Sequence, residues 1–165
     1  MSYDWYNILR AWPSCPLTRP AIRPAIPTAT WLLSLSYGKS TYANLKLTKA
    51  KIGKTDAAEA TATVTNVGPV AADEAVQRYL THPPKAGAQT PLFALKGFRR
   101  LTLQPGASTQ VKFALTPAQL ALIDKGGSAF APSGPVTVWV SGSLPSARSP
   151  ALGAPKPVSA VLTIK

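Results

Sequence analysis

Six carboxylates, one histidine and one cysteine are the side chains from which this 165-residue chain could build a carboxylate pair, a histidine-based triad or a metal site. A pair of carboxyl groups can work as acid and base only if both flank one reacting bond. Asp73 and Glu74 are adjacent in a run that reads as a strand, where neighbours point to opposite faces, so they do not qualify. Asp56 and Glu59 fall at a turn and a strand start, and Asp124 precedes Lys125-Gly126; all three read as solvated turn residues. His82 stands beside Pro83-Pro84 at a strand end, where a solvent-exposed loop position is expected, and neither Cys15 nor any serine is spaced to make a triad with it. One histidine, one cysteine and scattered acids cannot close a tetrahedral metal site. Gly126-Gly127 and Gly134 lack the companions of a phosphate-binding loop. The expectation is a chain with no catalytic, metal or cofactor residues.

Binding chemistry is better represented. Lys96, Arg99 and Arg100 cluster near Phe93 and Phe98, and a basic surface with aromatics is the kind that holds single-stranded nucleic acid. The plainer reading, preferred here, puts Phe93 and Phe98 in the core while the cations extend into water, with no specific nucleic acid partner. Trp139 alternates away from Val136, Val138 and Val140, so it is free either to stack on a sugar or to lie against a neighbouring domain. Lys96, Arg99, Arg100 and Trp139 together form the candidate interdomain or ligand surface. The net charge is +12, from 18 basic and 6 acidic residues. Charge of that size favours solubility and loose attraction to anions without choosing among them.

The elements that must position these residues are strands. Apolar residues come in short alternating runs, and 17 Pro and 11 Gly punctuate them, a pattern that favours strands and turns over helices. Tyr42 to Ile52 reads as a first strand, and Ala60 to Gly68 as a second. In Glu74 to His82 the two rows are Val76, Arg78, Leu80 and Ala75, Gln77, Tyr79, Thr81. Tyr79 is taken as the inward anchor, which leaves Arg78 in water. Leu92 to Leu103 carries Gly97 inside a strand pattern, the mark of a bulge. Pro105-Gly106 suits a tight turn, and Val111, Phe113 and Leu115 form an inward row beyond it. Thr116 is a plausible N-cap for a short helix, with Pro117 at its first position. Strands around Val136–Val140 and Val158–Lys165 bring the total to about seven, as in an antiparallel sandwich. Ser141 to Pro157, broken by Pro145, Pro150, Pro155 and Pro157, is expected to protrude as an unordered loop. A length of 165 residues allows one ordinary domain.

Residues 1–34 differ in kind. They hold Trp5, Trp12, Trp31, Cys15 and the repeat-like RPAIRPAIP, and they do not alternate. They read as an irregular Pro-rich lead, disordered or foreign to the fold, as a truncated or frame-shifted gene would produce. Prolines 13, 16, 20, 24 and 27 interrupt any signal-peptide core, and no stretch approaches the roughly 18 to 20 apolar residues that span a bilayer. A lone cysteine implies no oxidising compartment.

Read in order, several segments resemble one family. The strand D-E-x-V-Q-x-Y (Asp73, Glu74, Val76, Gln77, Tyr79), the L-K-G-F segment (Leu95, Lys96, Gly97, Phe98), Pro105-Gly106, VKFALTPAQLALID from Val111 to Asp124, and the closing PVTVWVSG and SAVLTIK are similar to the fibronectin type III-like domain at the C-terminal end of family 3 glycoside hydrolases, the β-glucosidase and β-xylosidase group. LSYGKSTYANLKL, Leu35 to Leu47, resembles the lead-in from the preceding domain. The resemblance covers residues 35–165 and implies an all-β, immunoglobulin/fibronectin type III-like sandwich. It implies a structural role beside the sandwich and barrel domains of such an enzyme, in carbohydrate metabolism; the alternative from the basic surface is an independent binding module for polysaccharide or nucleic acid, and no membrane partner is expected. MSYDW faintly resembles the context of the family's nucleophilic aspartate, but that residue lies in a barrel far upstream of this module, so Asp4 is not read as catalytic. Family members are often exported, while this sequence itself indicates no compartment.

Overall fold

The element that decides the architecture is the strand Ala58–Asn66. Its residues alternate without exception, Ala58, Ala60, Ala62, Val64 and Asn66 buried and the residues between them half-buried, as a period-2 pattern of small apolar residues and threonines requires. The computed structural model describes residues 38–84 and 88–165; expectations placed on residues 1–34 lie outside the described residues.

In chain order the strands are β1 (Ser40–Leu47), β2 (Lys51–Ile52), β3 (Ala58–Asn66), β4 (Ala72–Thr81), β5 (Ala88–Gln89), β6 (Ala94–Leu103), β7 (Ser108–Leu115), β8 (Leu122–Asp124), β9 (Ala129–Phe130), β10 (Gly134–Ser141) and β11 (Val158–Ile164), with helical turns α1 (Pro117–Leu120) and α2 (Arg148–Ala151). Three sheets result, β1-β3-β7, β2-β11-β10-β4-β6 and a small β5-β8-β9. The first two face each other across one core built from Tyr42, Ala60, Val64, Val111, Phe113 and Leu115 on one side and Val76, Leu80, Val138, Val140, Leu162 and Ile164 on the other. This is the expected all-β sandwich.

The predicted first strand is two strands. β1 pairs antiparallel with β3, while β2 crosses to the other sheet and pairs parallel with β11 through Ile52 and Ile164. The changeover follows an irregularity between Ala43 and Lys46, where Asn44 takes a φ of 53°, a left-handed conformation that asparagine tolerates better than most residues. The predicted turn at Pro105-Gly106 is present, with Gly106 at φ 74° and Ala107 N–H donating to the Gln104 carbonyl at 3.0 Å. Pro117 opens α1, and the Gln119 side chain accepts from the Thr116 N–H at 3.4 Å. The Ser141–Pro157 segment departs from expectation: it contains α2 and buries Pro145 and Ser149. Its prolines are packed against the domain instead of breaking away from it.

The larger correction concerns β4. Val76, Arg78 and Leu80 point inward and Arg78 is only 1% exposed, so Tyr79 lies on the outer side of its sheet. A buried guanidinium costs least when its donors are occupied, and here both terminal nitrogens are, while Nε has no partner among the described residues. Arg78 Nη1 donates to the Ala114 carbonyl of β7, Nη2 donates to the Lys96 carbonyl of β6 at 2.6 Å, and the cation lies 5.5 Å from the centre of the Phe113 ring. Burial lowers its pKa. The register of β4 on β6 slips here, Arg78 opposing Gly97 and Tyr79 opposing Leu95, which makes Lys96 the extra residue of the predicted bulge. A Cβ on Gly97 would come within 3.3 Å of Arg78 Nη2. The glycine thus vacates the space that the guanidinium fills, and the arginine ties the two sheets together.

Candidate functional site

Antiparallel register decides which side chains share the outer face of the five-stranded sheet, because directly opposed residues point the same way. Tyr79 opposes Leu95 on β6 and Trp139 on β10, Gln77 opposes Phe98, and Thr137 opposes Val161. The apolar members of this set, Phe98, Leu95, Tyr79, Trp139 and Val161, thus lie on one outer face spread over four strands. Phe98 is 73% exposed, Val161 56% and Leu95 53%, and Leu92, just before β6, is 83% exposed. Large apolar side chains exposed together mark a surface that meets something other than water.

This face has an ordered centre. Trp139 is half-buried. Its Nε1–H donates to Thr81 Oγ1 at 3.1 Å, and Thr81 Oγ1 in turn donates to the Leu92 carbonyl at 3.0 Å. Phe93 meets the indole edge-on, with centroids 6.2 Å apart at 78°, a favoured aromatic geometry. The indole, Thr81 and Phe93 therefore fix the segment that displays Leu92. Beside Trp139, the buried Tyr79 donates its hydroxyl to Gln77 Oε1, and burial raises the phenol pKa.

The four residues singled out in the sequence do not all meet. Trp139 and Arg100 share the outer face. Arg100 forms an ion pair with Asp73, its Nε donating to Oδ2 at 3.0 Å. Hydrogen bonds from Thr102 first and Arg100 second lower the Asp73 pKa. Arg99 opposes Val76 and so starts from the core side of the edge strand, with its side chain exposed. Lys96, in the bulge, is half-buried and lines a cleft with His82. The aromatic expectations are also corrected: Phe98 is exposed, not core, and His82 is 5% exposed, not a solvated loop residue. Phe98 was recoverable from parity. Counting back from the inward Leu103 and Leu101 puts Phe98 with Thr102 on the outside.

The two neighbouring acids part as strand geometry demands. Asp73 faces out to Arg100, while Glu74 accepts hydrogen bonds from Ser40 Oγ at 2.9 Å and from the Tyr42 hydroxyl. Burial, then the hydrogen bond to Glu74, pushes the Tyr42 pKa far up. A Cβ on Gly142 would collide with the Glu74 carboxylate and come within 2.9 Å of the Tyr42 hydroxyl, so a larger residue there must push the carboxylate off its place at this partly buried joint. No group of three metal-ligating side chains occurs among the described residues, nor is any described helix long and apolar enough to cross a membrane.

Among the described residues, the all-β sandwich leaves large apolar side chains exposed on the outer face of its five-stranded sheet. Residues 74–144 match the family model of the fibronectin type III-like domain, and this region is similar to the C-terminal part of proteins named beta-xylosidase and beta-glucosidase. A beta-xylosidase of Formosa agariphila is 33% identical over 109 residues, 66% of this chain and 15% of that protein. Beta-glucosidase cel3A of Pyricularia oryzae is 38% identical over 96 residues, 48% of this chain and 13% of that protein. Among solved structures, the GH3 beta-glucosidase of Bifidobacterium adolescentis superposes with a TM-score of 0.64 at 32% identity, covering 81% of this chain and 18% of that one. The chain thus spans less than a fifth of each of these relatives.

Proposed function

We propose that this domain is a non-catalytic brace, which docks through the outer face of its five-stranded sheet onto the catalytic part of a β-glucosidase- or β-xylosidase-type glycoside hydrolase, and that residues 1–34 are foreign to its fold. The exposed row of Phe98, Leu95, Leu92 and Val161 around the fixed Trp139 carries the reading. Asp73 is engaged by Arg100 and Glu74 by Tyr42 and Ser40, on opposite sides of one strand, which supports the absence of a carboxylate pair and of glycosidase activity in the chain alone. Trp139 is held edge-on by Phe93, which favours an interdomain role over a stacking platform for polysaccharide.

The test replaces the matching domain of the Bifidobacterium adolescentis enzyme with residues 35–165. A soluble, active chimera is expected, together with no turnover of aryl glucosides or xylosides by the chain alone and no retention on insoluble glycans. Turnover by the chain alone, or a chimera that folds but leaves the graft detached and protease-sensitive, contradicts the proposal.

A further inference from the structure

The strongest unexplained group in the molecule is His82, the single histidine of the chain. It follows β4 and is 5% exposed, and neither ring nitrogen has a hydrogen-bond partner among the described residues. Buried polar atoms are almost always paired, so an imidazole with both nitrogens idle calls for a partner. Two clefts meet at it. One, of about 260 Å³, runs between His82, Pro83, Leu122, Pro132 and Pro135. The other, of about 450 Å³, runs between His82, Thr90, Pro91, Lys96, Leu122 and Ile123. The bulge that accommodates Arg78 is what delivers Lys96 to this place, since its carbonyl is held by the guanidinium while its side chain turns to the cleft.

The chemistry of the groove is one-sided. Among the described residues lining the two clefts none is acidic, and the ionisable groups are His82 and Lys96 alone. Burial first, and the Lys96 ammonium second, hold the His82 pKa below its ordinary value, so the empty site carries one ammonium and a neutral imidazole near neutral pH. Proline rings and Leu122 supply apolar walls on either side. A carboxylate answers both features. Its oxygens accept from the Lys96 ammonium and from a His82 N–H, and its charge offsets the Lys96 repulsion that adds to burial in disfavouring the protonated imidazole.

We propose that the groove at His82 and Lys96 is a binding site for a small carboxylic acid with a compact ring, whose carboxylate pairs with both side chains while its ring packs between Leu122 and the prolines. The site uses none of the side chains of the docking row and does not rest on that reading.

The single histidine makes the experiment direct. The full chain is titrated with glucuronate, benzoate and their neutral counterparts glucose and benzyl alcohol, while the His82 ring resonances are followed by NMR and the pH titration of that ring is repeated at saturation. Glucuronate or benzoate is expected to shift the ring saturably and to raise its midpoint; which acid binds more tightly reports the preferred ring. Lys96→Gln, which leaves the backbone carbonyl on Arg78 in place, should weaken the acid by about tenfold or more, the worth of one charge-assisted hydrogen bond. The proposal is overturned if neither acid gives a saturable shift into the tens of millimolar range, if the neutral compounds act equally, or if folded Lys96→Gln binds the acids as tightly as the parent chain.

Discussion

The outward faces of the two sheets follow the same alternation but present opposite chemistry. On the three-stranded sheet the outward row contains Thr61, Thr63 and Thr65 of β3 and Ser108, Gln110 and Lys112 of β7. Its polar groups serve one another: Thr65 Oγ1 lies 2.7 Å from Ser108 Oγ, and Lys112 lies 3.7 Å from Glu59. Water completes such a surface at no cost. The five-stranded sheet instead turns Phe98, Leu95 and Val161 outward around a fixed Trp139. The backbone rule is identical in both, so the difference lies in what the outer positions are for. One face ends the domain in water, and the other, in the proposed docking, is half of an interface.

The largest expected effect contrasts the two sides of one sheet. Leu80 is fully buried in the core, and Leu80→Ala should cost about 2–5 kcal/mol in denaturant unfolding. Leu95→Ala, the same chemistry at a site 53% exposed on the outer face, should stay within about 0.5 kcal/mol. A comparable loss at Leu95 would make the outer face part of this domain's own core and dissolve the contrast.

The next effect lies at the joint between the sheets. Gly142→Ala pushes against the Glu74 carboxylate and its hydrogen bond from Tyr42. A loss of about 1–3 kcal/mol is expected, measured by thermal unfolding, because overpacking and a disturbed buried hydrogen bond act together. An unchanged midpoint would show that the joint does not hold the sheets.

A smaller effect appears with pH. Because the folded-state pKa of His82 is lowered by burial and by Lys96, the unfolded chain binds the proton more readily. The stability that this group contributes is complete above the unfolded value of about 6.5 and is lost as pH falls toward the depressed one. Thermal midpoints should therefore drop between about pH 7.5 and 5, and this part of the profile should flatten in His82→Leu. A profile unchanged by that substitution would contradict the assignment.

Much of this architecture was legible along the chain. Alternation in β3, β7 and β10, the turn at Pro105-Gly106, the Thr116-Pro117 helix start and the Gly97 bulge are all local signals, and each has a local physical cause. What escaped depends on distant partners. Taking Tyr79 as the inward anchor leaves Arg78 in water, yet Ala114, Lys96 and Phe113, brought together only by folding, make the burial of Arg78 possible. With Arg78 inside, Tyr79 had to move outside. Phe98 was assigned to the core on its apolarity, whereas its parity with Thr102 puts it outside and, in the docking reading, against a partner. The crossing of β2 to the second sheet rests on its pairing with β11, which lies more than a hundred residues away along the chain. Of the four surface residues, only Trp139 and Arg100 share the outer face, because the bulge sends Lys96 into the cleft and parity turns Arg99 the other way.

The central claim is that one outward face docks and the other does not. The most direct measurement compares Phe98→Lys and Gln110→Lys in the chimera with the Bifidobacterium adolescentis enzyme, each also made in the isolated domain. The account predicts that both substitutions leave the isolated domain's thermal midpoint nearly unchanged, while Phe98→Lys alone lowers the chimera's midpoint and loosens the graft to protease. If Gln110→Lys did the same, or if Phe98→Lys left the chimera intact, the docking face would be misassigned.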